Sequence, residues 1–98
     1  MSADELRAHV CIAPAHPSLA GHFPGDPVVP GVVLLDEVAA ALERSGAGAL
    51  RRLSAVKFLA PLRPGEDAEL VLRRDAARVR FRIERAGTPI LAGEGETA

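Results

Sequence analysis

The sequence is poor in the residues that build disulfides, metal sites and aromatic cores. Its 98 residues include no tryptophan, no tyrosine, three phenylalanines and one cysteine, Cys11. A single cysteine excludes an intramolecular disulfide and a cysteine-built metal site. The place of Cys11 in an apolar, strand-like stretch predicts a buried, unreactive thiol. The core must be built from valine, leucine, isoleucine and alanine, and the length suits one domain, residues 1–98.

Charge and hydropathy exclude several classes of partner. The formal net charge is −1, so no overall field attracts nucleic acid or an anionic membrane. No stretch approaches the ~20 apolar residues of a membrane span, and the first ten residues lack the basic flank and apolar run of a signal peptide. We expect a cytoplasmic protein with no nucleic-acid partner and no membrane partner, although an arginine-rich strand face at residues 78–85 would suit nucleic acid.

Periodicity predicts one helix and five strands. Pro30 suits the first turn of a helix, because its missing N–H costs nothing there, and Gly46 and Gly48 favour the helix end. Residues 78–85 alternate apolar and charged side chains, which is typical of a half-buried antiparallel strand. The predicted helix is Gly31–Arg44, and the predicted strands are Glu5–Ala13, Arg52–Leu59, Ala68–Arg73, Arg78–Arg85 and Pro89–Glu94.

This order of elements indicates an α+β domain. The helix is apolar on almost every side, and a helix of this kind is expected to be buried all round. A mostly antiparallel sheet that curls around the single helix would bury it.

Two carboxylates interrupt the apolar helix. Asp36 and Glu37 lie about 100° apart around a helix, so one can reach an edge while the other should be at least partly buried. Two interpretations stay open. Both acids lie on an exposed edge or pair with an arginine, or one is held in an apolar cleft as a proton carrier or water ligand. His22 precedes Asp36 by fourteen residues and is either a packed or solvated residue or a base.

The stretch from His22 to Asp36, HFPGDPVVPGVVLLD, resembles the signature of the β-hydroxyacyl-acyl carrier protein dehydratases. In that family the pattern is H-F-P-G-x-P, two apolar residues, P-G, four apolar residues and an acid, and fifteen positions match without a gap. A weaker similarity covers Val56–Glu66, and the whole runs from about Arg7 to Glu96. The resemblance implies the hotdog fold, in which a curved antiparallel sheet wraps one central helix. It also implies a homodimer, or a higher oligomer, with the active site at the seam between subunits.

The same resemblance implies a role for each matching residue. His22 falls on the catalytic histidine and Asp36 on the catalytic acid, and the pair in one site comes from opposite subunits. Gly31 falls on the glycine whose backbone N–H meets the thioester carbonyl of the substrate, with Phe23 and Val32 as further substrate-binding residues. Neither a metal nor a cofactor is expected, and the sequence has no i, i+4 histidine pair that would hold a metal.

These residues suit the dehydration of a 3-hydroxyacyl thioester to a trans-2-enoyl thioester. His22 can accept the C2 proton, since imidazole titrates near pH 6.5, and Asp36 can protonate the leaving hydroxyl. Gly31 begins a helix, where a free N–H and partial positive charge favour developing negative charge. We predict such a dehydratase in fatty acid or polyketide/aryl-polyene-like biosynthesis. The alternatives are a hotdog acyl thioesterase and a non-catalytic acyl-carrier-binding subunit.

The implied partner is an acyl carrier protein carrying a phosphopantetheine-linked acyl chain. The acyl carrier proteins that serve this family are acidic, so a local positive surface on this chain would bind them. The alternative is that these arginines are solvated or paired with acids on the outer sheet. The candidates are Arg73, Arg74, Arg78, Arg80, Arg82 and Arg85.

Overall fold

A computed structural model describes residues 4–13 and 28–97. The helix and β4 have the predicted bounds, and the other four strands differ from prediction by one to three residues at their ends. The elements are β1 (Asp4–Val10), α1 (Gly31–Arg44), β2 (Leu50–Phe58), β3 (Ala68–Asp75), β4 (Arg78–Arg85) and β5 (Thr88–Thr97).

The strands form one antiparallel sheet in the order β1-β3-β4-β5-β2. Two tight hairpins join β3, β4 and β5, with Leu70 opposite Ile83 and Phe81 opposite Gly93. Strands β1 and β2 are the two edge strands of the sheet. Strand β1 pairs with β3, and β2 pairs with β5. One helix against a five-stranded antiparallel sheet is the predicted α+β architecture, and it is the hotdog fold.

The core lies between α1 and one face of the sheet. Alternate residues of β3 and β4 point toward the helix, as the period of two predicts. Arg78, Arg80 and Arg82 of β4 lie between the buried residues on the other face. The strong burial of these aliphatic side chains is the main favourable term for a domain with so few aromatics. The core side chains that are at most 2% exposed include Leu34, Val38, Leu42, Leu62, Leu70, Val79, Ile83 and Leu91.

The expectation of a helix buried all round is wrong for the single chain. Its buried residues are Val33, Leu34, Val38, Ala41 and Leu42, which lie on one side of the helix. Val32 is 64% exposed, and Asp36 and Glu43 on the same outward side are exposed too. The physical reason is that the sheet covers only one side of α1. The outward side of the helix, which includes the apolar residue Val32, is left exposed in the single chain.

The edge strand β2 is exposed over most of its length on both faces. Its pairing with β5 shifts register between Leu50 and Arg52 and again between Leu53 and Ala55. A side chain at Gly95 in β5 would overlap the backbone carbonyl of Arg52, so glycine is required for β2 to lie this close. The other edge of β2 has no partner strand among residues 4–13 and 28–97, and an unpaired edge is a template for further pairing.

The two hairpin turns contain alanines in the left-handed backbone region. Ala76 has φ 55° in the β3–β4 turn, and Ala86 has φ 48° in the β4–β5 turn, where Gly87 follows at φ 82°. A left-handed conformation costs a residue with a Cβ roughly 1–2 kcal/mol. The turns therefore hold conformations for which asparagine or glycine is better suited.

The prediction of a buried thiol at Cys11 is wrong, because the residue is exposed. The prediction extended the first strand to Ala13, whereas β1 ends at Val10. Beyond that point Ile12, rather than Cys11, enters the core at 3% exposure.

Candidate functional site

The amino terminus of α1 presents backbone donors without a cap. Pro30 is the N-cap residue, makes no side-chain hydrogen bond, and precedes a first turn with no acidic residue. The carbonyl of Pro30 accepts hydrogen bonds from the N–H groups of Val33 (3.0 Å) and Leu34 (3.4 Å). The N–H groups of Gly31 and Val32 have no hydrogen bond to another described residue. Two free donors and the positive end of the helix dipole suit a negatively polarised oxygen.

An open apolar groove of about 430 Å³ lies beside this helix terminus. Its backbone is fixed on both sides, because the N–H of Val29 donates to the carbonyl of Leu62 and the N–H of Leu59 donates to the carbonyl of Ile90, both at 2.8 Å. A volume in this range is usual for small-molecule sites. The groove is lined by Val28, Val29, Pro30, Gly31, Leu34, Phe58, Leu59, Ala60, Pro61 and Leu62.

Phe58 also lines this groove, although the sequence predicted no role for it. It ends β2 and is 58% exposed, and the next residue, Leu59, is 51% exposed. A Cβ placed on Gly31 would lie 2.6 Å from the Cζ atom of Phe58 and would also overlap Cε1. The ring therefore lies directly against the glycine at the helix terminus. The signal in the sequence was two consecutive large apolar residues at the end of a strand, where alternation would bury only one.

The structure brings Gly31 and Val32 together at the helix terminus and separates Asp36 from the groove. Asp36 lies one turn after Val32 on the outward side of α1 and is exposed, while Glu37 is half-buried. One acid at an edge and one partly buried is the expected arrangement. Neither carboxylate makes an ion pair with the described part of the chain. His22 and Phe23 lie outside the described residues, so their predicted roles stay predictions.

Three of the six candidate arginines are paired with acids. Arg80 contacts Glu94 at 3.5 Å, and Arg82 contacts Glu84 at 3.2 Å. Arg85 is the last residue of β4, and its side chain contacts Glu66 at 3.2 Å. These three support the interpretation of ion-paired outer-sheet residues. Every side chain in these pairs is at least a quarter exposed, so the pairs contribute little stability.

The remaining candidates lie away from the groove. Arg73 and Arg78 make no ion pair with residues 4–13 or 28–97. They flank the β3–β4 hairpin, and Arg74 beside them lines a cavity with Leu42 and Ser45 at the carboxyl end of α1. The groove is at the amino end of the same helix. Lys57, which directly precedes Phe58 in β2, is exposed and makes no ion pair with the described chain.

The fold and the uncapped helix terminus beside an apolar groove place the chain among the hotdog proteins. Within that class it belongs to the ApeI-like family, since the family model, described as ApeI dehydratase, matches residues 1–94. No functionally curated protein matches the chain significantly. The recognition of a hotdog dehydratase family from the His22–Asp36 stretch is confirmed.

Solved structures support the fold. The chain is similar to the dehydratase heterocomplex ApeI:P from Xenorhabdus doucetiae, with 25% identity and a TM-score of 0.83 over 94% of this chain and 85% of that one. An uncharacterised protein from Erwinia carotovora subsp. atroseptica gives 21% identity and a TM-score of 0.80, over 98% and 84%. An acyl-CoA hydrolase from Staphylococcus aureus gives 17% and 0.53, over 93% and 60%. No helix in the described ranges is long and apolar enough to cross a membrane.

Proposed function

We propose that the protein is a 3-hydroxyacyl-thioester dehydratase that eliminates water to give a trans-2-enoyl thioester. The observation that supports this most strongly is the match of residues 1–94 to a dehydratase family. The sequence stretch from His22 to Asp36 carries the acid and base that such an elimination needs. The groove at Gly31 supplies an apolar place for an acyl chain, beside backbone N–H groups that have no hydrogen bond within the described residues.

In the proposed reaction, the N–H of Gly31 donates to the thioester carbonyl and stabilises the negative charge that develops there. His22 accepts the C2 proton, and the electron pair of that C–H bond forms the C2–C3 double bond. The C3–O bond breaks, and Asp36 of the opposite subunit gives its proton to the departing hydroxide, which leaves as water. A proton then returns from the histidine to the carboxylate, which restores the starting state.

Two assays on one sample test this function. Purified protein is incubated with a 3-hydroxyacyl thioester, and the conjugated enoyl product and the free thiol are followed together. A dehydratase forms the enoyl product without releasing thiol. Thiol release without the enoyl product would identify an acyl thioesterase, and neither product with any acyl thioester would favour a non-catalytic carrier-binding subunit.

We also propose that a second hotdog subunit covers β2 and the outward side of α1. Val32 and Leu53 are exposed apolar residues on these two surfaces, and the free edge of β2 can pair with another strand. Asp36 lies on the same outward side, so the second subunit would complete the site around it. An identical chain is the proposed occupant, and a different hotdog chain, as in the ApeI:P heterocomplex, is the alternative.

Light scattering after size-exclusion chromatography tests the homodimer. The wild-type chain is expected at twice its own mass, and Leu53→Glu is expected at the mass of a single chain, because it places a charge on the pairing strand. Leu6→Glu on the opposite edge strand β1 is the matched control, since Leu6 is 36% and Leu53 42% exposed. A wild-type chain that stays single, yet doubles in mass with a hotdog chain from its own genome, would assign the surface to the different chain.

For the carrier protein we propose that docking depends on the groove end of the molecule. Lys57→Glu is expected to raise KM for a carrier-bound substrate several-fold and to leave a carrier-free thioester nearly unchanged, because an acidic carrier would meet a reversed charge. The effect should shrink as salt rises, since charges are screened over about 10 Å at 0.1 M. Arg78→Glu, the same kind of charge reversal at the far end, is the control. An equal loss for both variants would contradict docking at the groove end.

A further inference from the structure

The Phe58 ring has a position that the proposed mechanism does not use. Its Cε1 and Cζ atoms occupy the space next to the α-carbon of Gly31, and they are the nearest atoms to a Cβ placed there apart from the adjoining residues and the helix backbone. The ring is more than half exposed, so packing in the core does not account for its placement. It also lines the groove, together with Gly31 and Leu34.

The backbone around the ring is held in place. The N–H groups of Leu59 (2.8 Å) and Ala60 (3.3 Å) both donate to the carbonyl of Ile90. Phe58 itself pairs with Leu91 in β5. The strand end that carries Phe58 is therefore anchored to β5, and the ring can leave Gly31 only by side-chain rotation.

We infer that Phe58 is a specificity-determining residue that excludes acyl chains with a substituent at C2. This inference rests on the proposed function. If the N–H of Gly31 binds the thioester carbonyl, C2 is the next atom of the acyl chain and lies beside the same glycine. The ring then leaves room for a hydrogen at C2 and none for a methyl group. A 2-methyl-3-hydroxyacyl thioester still has one hydrogen at C2, so its elimination is chemically possible and only the shape of the site rejects it.

The size of the effect follows from the cost of one misfitting methyl group. A single methylene difference in an apolar pocket changes kcat/KM by roughly 10–200-fold. The wild-type enzyme is expected to prefer the unbranched 3-hydroxyacyl thioester over its 2-methyl analogue within that range. Phe58→Ala is expected to reduce this preference at least ten-fold, through a rise in kcat/KM for the branched substrate.

The matched control is Leu59→Ala, which removes another exposed apolar side chain from the same groove without uncovering Gly31. It is expected to change both substrates by the same factor and to leave the preference as in the wild type. The inference is wrong if the wild type uses both substrates equally. It is also wrong if Phe58→Ala lowers both alike, which would make the ring a general wall of the groove.

A binding experiment separates this inference from the proposed reaction. Saturated acyl amides of cysteamine, unbranched and 2-methylated, have neither a leaving hydroxyl nor a reactive thioester, and their binding can be followed by ligand-observed NMR. The inference is supported if the wild type binds the unbranched amide more tightly than the 2-methyl amide and Phe58→Ala loses this selectivity. This result would hold even if no variant dehydrates any substrate, and only the proposed reaction would then fail. If the protein dehydrates its substrate but binds and turns over the unbranched and 2-methyl compounds equally well, the inference about Phe58 is wrong while the proposed reaction stands.

Discussion

Replacing Asp36 with asparagine removes the proposed acid and little else. Asp36 is exposed on the outward side of α1 and makes no ion pair within residues 4–13 and 28–97. Surface substitutions of this kind change the free energy of unfolding by no more than about 0.5 kcal/mol. A loss of activity in Asp36→Asn would therefore come from chemistry and not from unfolding.

The expected loss of kcat is roughly 10²–10⁴-fold, the usual contribution of a positioned general acid. Because each factor of ten corresponds to about 1.4 kcal/mol, the activation barrier should rise by roughly 2.7–5.4 kcal/mol. The assay is the change in enoyl-thioester absorbance in the hydration direction, with thermal unfolding measured on the same preparation.

Two other acids of the same helix are the controls. Glu43 lies seven residues after Asp36 on the same exposed side, so Glu43→Gln tests the effect of removing a charge from that surface. Glu37→Gln tests the neighbouring, half-buried carboxylate. Both are expected to retain activity within a few-fold of the wild type. An inactive Glu37→Gln beside an active Asp36→Asn would show that the acid was assigned to the wrong residue of the helix.

Three further predictions concern stability. Gly31→Ala should destabilise the wild type, because the new methyl group overlaps the ring of Phe58, and should cost less in a Phe58→Ala background; equal costs in denaturant titrations of the four variants would contradict the contact. Ala86→Asn should stabilise the fold by about 1 kcal/mol, or raise Tm by roughly 4–8 °C, because Ala86 has φ 48°, whereas Ala77→Asn in the other turn should bring no gain. Gly95→Ala should lower Tm more than Gly31→Ala does, because its methyl group meets the backbone carbonyl of Arg52 and not a side chain. An unchanged Tm would mean that β2 can move away from β5 without cost.

The sequence was sufficient to predict the elements with strong local signals. The helix bounds followed from Pro30 and from the glycines after Arg44, and the bounds of β4 followed from strict alternation. The order of the strands in the sheet was not predictable from those patterns, because pairing of β1 with β3 and β2 with β5 joins segments far apart in the chain. The resemblance supplied the fold that contains this pairing.

The candidate site was predictable only in part. Gly31 at an uncapped helix terminus follows from the sequence, because proline cannot supply a capping side chain. The contact between Phe58 and Gly31 depends on how far β2 extends beside the helix, which no local pattern fixes. The error at Cys11 has a different cause, since burial alternates along this segment and leaves Cys11 on the outward side between the buried residues Val10 and Ile12.

The exposure of β2 on both faces has a consequence for stability if the proposed second subunit covers this strand. If assembly buries β2, the folded protein and its association form one equilibrium, and mass action governs both. Every ten-fold dilution would then remove about 1.4 kcal/mol of stabilisation per assembled pair. A melting temperature measured for this chain would then be a property of the sample as well as of the sequence.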